Sequence, residues 1–119
     1  MTANEELQKE IMEYQTAQQQ LQMIANQKTQ SNMQVRETKD ALEHLRTAST
    51  GTEVFKSIGR ILIKSDLADV KKELSEESET LDVRLKSLEN QENKLKERVG
   101  NLEKELLPKI QKAQAQGQG

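Results

Sequence analysis

The stretch EVFKSIGRILIKSD, residues 53–66, stands apart from everything around it. On either side the chain is rich in Gln, Glu, Lys and Leu. Within the stretch sit the lone Phe, Phe55, the branched run Ile61-Leu62-Ile63, and Gly59. Gly at the first central position of a two-residue loop favours a type II′ hairpin turn, because that position needs a positive φ. The stretch therefore predicts two short antiparallel strands about Gly59-Arg60, within a hairpin over residues 52–65. Ile58 falls opposite Ile61, Lys56 opposite Ile63 and Phe55 opposite Lys64. Val54, Ile58, Ile61 and Ile63 share one face, while Phe55 and Leu62 share the other. A lone two-stranded hairpin is marginal in water, and this one carries apolar groups on both faces and two unpaired edges. The expectation is that hairpins of several chains close a common sheet or barrel. The oligomerisation segment is then Val54, Phe55, Ile58, Gly59, Ile61, Leu62 and Ile63.

Upstream, residues 4–48 predict one long helix. Asn4, with Glu6 nearby, suits its start, since acidic groups favour a helix N-terminus. Gly51 suits its end as a left-handed C-cap. Leu7, Tyr14, Leu21, Lys28, Val35 and Leu42 recur every seven residues, and Ala17, Ile24 and Leu45 interleave with them. This is a heptad seam with gaps. Downstream, residues 67–112 predict a second helix with a stronger seam. Leu67, Leu74, Leu81, Leu88, Leu95 and Leu102 are consecutive heptad leucines, flanked by Val70, Leu85, Val99 and Leu106. Gly100 weakens this helix, and Pro108 is expected to end or kink it. Residues 113–119 read as a flexible polar tail.

Each helix would run roughly 65 Å at 1.5 Å per residue. A helix so long and so lean needs a partner along its seam. The hairpin makes the other helix of the same chain the nearest one. Folding back antiparallel sets Leu42 against Leu74, Val35 against Leu81, Leu21 against Leu95 and Tyr14 against Leu102, with Lys28 facing Leu88. The coiled-coil seam is thus Leu21, Val35, Leu42, Leu74, Leu81, Leu88 and Leu95. The fold class is predominantly α: a long antiparallel two-helix coiled coil with a central β-hairpin, in a single domain over residues 1–119.

The composition agrees and narrows the function. Of 119 residues 33% are hydrophobic and 32% charged, and Tyr14 and Phe55 are the only aromatics, so a compact core is ruled out. The net charge of −2 is spread in mixed sequence, without the basic block that nucleic acid or an anionic membrane surface calls for. A leucine-zipper DNA reader needs a basic region before its zipper; Lys56, Arg60, Lys64, Lys71 and Lys72 are too sparse and mixed with acids. There is no Cys and one histidine, His44, so no metal site is expected. No nucleophile is paired with a base, and no phosphate-binding Gly-rich loop occurs, so neither catalysis nor a cofactor is expected. The acidic run Glu73, Glu76, Glu77 and Glu79 reads as a solvated face. No window is apolar enough to span a membrane, and the default location is the cytoplasm.

Helix–hairpin–helix order, the segment VFKSIGRILIK at 54–64, and the pattern Leu74…Leu81-Asp-Val-Arg-Leu85…Leu88…Gln91-Glu92…Leu95 together resemble the β-class subunits of the prefoldin family. The single hairpin matches the β class. The resemblance implies an ATP-independent chaperone, a hexamer of two α-class and four β-class chains. Their hairpins would build a double β-barrel, and coiled coils would project from it. It further implies that the coil tips hold unfolded polypeptides and pass them to a group II chaperonin. By position the tips are Leu7, Ile11, Met12 and Tyr14 on one helix and Leu102, Leu106, Leu107 and Ile110 on the other. Their flexible and aliphatic side chains suit loose capture of apolar segments. The alternative is a structural homo-oligomeric coiled-coil scaffold, which leaves the hairpin unexplained.

Overall fold

A computed structural model describes residues 2–117. The element order is α1 (Ala3–Arg46), β1 (Val54–Ile58), β2 (Ile61–Ser65) and α2 (Leu67–Gly117). No helix among the described residues is long and apolar enough to cross a membrane.

Local chemistry accounts for each boundary. Helix α1 starts with a capping box, one residue pair earlier than Asn4 and Glu6 suggested. The Glu5 amide donates to Thr2 Oγ1 at 3.2 Å, and the Thr2 amide donates to Glu5 Oε2 at 3.4 Å. The helix ends at Arg46, where His44 and Arg46 place basic groups in its last turn. Gly51 has a φ of 94°, but it does not cap α1. It sits inside a turn closed by the Thr52 amide donating to the Ser49 carbonyl at 3.1 Å. Gly at the third position of such a turn is the type II signature. Asp66 caps α2, its Oδ1 accepting from the Ala68 amide at 2.7 Å.

Helix α2 does not end at Pro108. It runs through it to Gly117, so residues 113–117 of the expected tail are helical, and 118–119 lie outside the described residues. Proline removes only its own amide and crowds the preceding turn. The seam residues Leu106, Ile110 and Ala113 on either side stay buried or half-buried, which holds the helix in place.

The chain forms two compact units, residues 2–28 with 88–117, and Thr29–Ser87. In the first, the terminal unit, the buried residues are Ala17, Leu88 and Leu106, and Glu92 is buried as well. The register there differs from the leucine-on-leucine pairing. Lys28 bonds Glu92 at 3.1 Å instead of facing Leu88. Tyr14 lines a groove with Leu106 instead of meeting Leu102. The offset is about one helical turn. A slip of three or four residues moves one heptad row onto the other and keeps apolar groups apposed. The ion pair then decides between the alternatives.

In the second, the hairpin unit, Val35 and Leu81 are buried together with Ser31, Thr38 and Ser78. These polar residues fill the gaps in the heptad rows. Thr38 returns its hydroxyl to the Gln34 carbonyl at 2.8 Å. No buried side-chain N or O among the described residues lacks a partner. Across the helices Lys39 reaches Asp82 at 3.6 Å.

Candidate functional site

Two surfaces gather several apolar groups each, while Met23, Met33 and Val83 are exposed elsewhere on the helices. The first is the hairpin. Its register is the expected one: Ile58 pairs with Ile61, Lys56 with Ile63 and Phe55 with Lys64. Gly59 has a φ of 59° and no non-Gly residue among the described residues has a positive φ, which is the type II′ pattern. Ile61 is 63% exposed and Leu62 is 69% exposed, and Phe55, Ile58 and Ile63 are exposed beside them. Val54 is half-buried. The apolar surface thus lies toward the turn and on both faces. The hairpin's root is tied down by Lys56, which pairs with Glu73 of α2, and by Lys64 with Glu53 at 3.5 Å. Glu73 is therefore more than a solvated acid.

The second surface lies in the terminal unit. Ile11, Tyr14, Leu106, Leu107 and Ile110 line one open groove of about 290 Å³, with Gln15, Gln18 and Glu103 at its polar edge. Helical spacing explains the set, since residues three and four apart share a face. Leu106 is only 3% exposed and forms the floor, whereas Leu107 is 51% exposed. The Tyr14 hydroxyl accepts from Gln18 Nε2 at 2.9 Å. The structure brings five of the eight sequence-derived tip residues together here. The other three lie apart: Leu7 adjoins Glu10 and Lys109, Met12 adjoins Lys9 and Arg98, and Leu102 adjoins Asn101 and Glu105.

Charge pairs stiffen this unit. Lys109 donates to both oxygens of Glu10, at 2.8 and 2.9 Å. That hydrogen bond holds the Lys109 ammonium above its ordinary pKa, although burial pushes the other way. Lys28 and, at 3.6 Å, Lys96 converge on Glu92. The hydrogen bond from Lys28 holds the Glu92 carboxyl below its ordinary value, although burial pushes the other way. These pairs were missed from sequence. The signal was present, since Lys28 and Glu92 both occupy heptad rows where an apolar residue is the norm.

The seam residues are placed as expected in kind. Val35, Leu81 and Leu88 are buried, and Leu21, Leu42, Leu74 and Leu95 are half-buried.

Known proteins share this arrangement. The prefoldin subunit family matches residues 8–113. The chain is 44% identical over 96 residues to prefoldin subunit beta of Thermococcus onnurineus, covering 81% of this chain and 79% of that one. It is 41% identical over 96 residues to prefoldin subunit beta of Archaeoglobus fulgidus, covering 81% and 83%. The crystal structure of the prefoldin beta subunit from Thermococcus strain KS-1 superposes with a TM-score of 0.76 at 33% identity, over 85% of this chain and 89% of that one. With a hairpin between two long helices, and with matches over most of its length, the chain belongs to the prefoldin family, among its β-class subunits.

Proposed function

We propose that this prefoldin chaperone subunit holds unfolded polypeptides without nucleotide, cofactor or catalysis. The observation that carries this is the open apolar groove of Ile11, Tyr14, Leu106, Leu107 and Ile110. An open apolar groove favours loose capture over selective recognition. The hairpin supplies assembly: Phe55, Ile58, Ile61, Leu62 and Ile63 are covered by hairpins of neighbouring subunits in a shared β-barrel. The assembly is a hexamer of two α-class and four β-class chains, in the cytoplasm, passing its clients to a group II chaperonin. Several weak grooves on one assembly would add avidity. Neither nucleic acid nor membrane is a partner. The scaffold alternative is not favoured by the relatives, which are prefoldin β subunits.

The test is suppression of aggregation of a denatured protein. Met12 and Leu107 are exposed, so replacing both with Ser spares the fold. The Met12→Ser/Leu107→Ser variant should assemble with unchanged mass and need severalfold more protein for the same suppression. Equal suppression would remove the tips as the holding site.

A further inference from the structure

The apolar groove has one charged lining residue, Glu103. Its neighbours one helical turn away are Val99, Gly100, Leu106 and Leu107, none of them charged. Glu103 is exposed and forms no ion pair among the described residues. The contrast within the same unit is Glu10, whose carboxylate is matched by Lys109 at 2.8 Å. The other polar groups on the groove, Gln15, Gln18 and the Tyr14 hydroxyl, are neutral. At about 290 Å³ the groove is at the small end of ligand-sized pockets, so it admits one or two side chains rather than a folded surface.

An apolar floor with one unmatched carboxylate at its edge complements a bulky apolar side chain that has a cation close by. We propose that the groove selects, among unfolded polypeptides, segments in which a bulky apolar residue adjoins Lys or Arg, the cation pairing with Glu103. This rests on the reading of the groove as the client-holding site. Apolar burial supplies the affinity, and the carboxylate ranks one segment above another. Charge complementarity at a rim contributes discrimination more than strength. It also disfavours acidic segments, which would bring a second carboxylate to Glu103.

Fluorescence anisotropy of labelled peptides on the full chain, assembled with its α-class partner at low salt, tests this. Three peptides share one apolar core and differ in flanks: neutral, Lys-bearing or Glu-bearing. The Lys-flanked peptide should bind about threefold tighter than the neutral one, the Glu-flanked peptide more weakly still, as expected of an exposed pair. Glu103→Gln should level the three, and Glu103→Lys should invert their order. Equal binding of all three by the unaltered chain would overturn the inference, as would a ranking that survives Glu103→Gln. Should even the neutral peptide fail to bind, the holding site itself lies elsewhere and both readings fall. Neutral binding without ranking would sink only the role of Glu103.

Discussion

Glu92 shows how much one side chain can decide. It sits in a heptad row, it is 7% exposed, and its carboxylate is bonded by Lys28 at 3.1 Å. A buried ion pair is a poor source of net stability, but removing one partner leaves the other charge stranded. It therefore favours the one register that keeps Lys28 and Glu92 together. Its pH dependence follows from the lowered pKa. A carboxyl whose folded-state pKa is depressed stabilises the fold above its unfolded value of about 4.3 and loses that contribution as pH falls through the lowered value. The melting temperature of Glu92→Gln should therefore lie below that of the unaltered chain at neutral pH. The gap should close on the acid side, below about pH 4. A gap independent of pH would show that the carboxylate's charge does not hold this part of the seam. Thr2 is a second decisive residue, and its capping box was legible as Thr-x-x-Glu in the first five positions.

At the scale of elements, α2 carries two apparent faults, Pro108 and Gly100, and continues through both. Burial of Leu106, with Ile110 and Ala113 half-buried beyond it, outweighs what Pro108 costs. Gly100 is half-buried, and a Cβ built on it meets nothing within 4 Å. Glycine is the more costly helix residue because it loses more backbone freedom on folding. Gly100→Ala should thus raise stability by about 0.5–1 kcal/mol in urea unfolding. A loss would mean that this turn needs glycine for a reason other than space. The hairpin was the most legible element. Its two-residue loop leaves one register, and Gly59 occupies the one position that demands a positive φ. The turn around Gly51 was less legible, because a glycine just beyond a helix serves a C-cap and a type II turn equally well.

For the whole molecule the question is what covers the hairpin. Ile58 and Ile61 are opposite one another and both exposed. A charge there would leave this chain's own helices untouched and make burial between subunits costly. Ile58→Asp with Ile61→Asp should give free chains in native mass spectrometry with an α-class partner, where the unaltered chain should give the proposed hexamer with four copies. Circular dichroism should show the helices largely retained. An unchanged hexamer would remove the hairpin as the assembly surface. The terminal unit, by contrast, should still melt as a helix pair, since Glu10–Lys109 and Lys28–Glu92 lie within it.

The amino-acid sequence by itself determined the two helices, the hairpin with its register and turn type, and the seam leucines. Each of these is a local or periodic property: a two-residue loop, a capping side chain, a repeat of seven. Only the tertiary structure decided how the two seams meet. A heptad row apposes apolar groups equally well after a slip of one turn, so leucine spacing could not separate Tyr14 against Leu102 from Tyr14 against Leu106. Two charges in the rows, Glu92 buried and Lys28 half-buried, must be matched, and they broke that degeneracy. The same step gathered Ile11, Tyr14, Leu106, Leu107 and Ile110 around one groove and left Leu7, Met12 and Leu102 outside it.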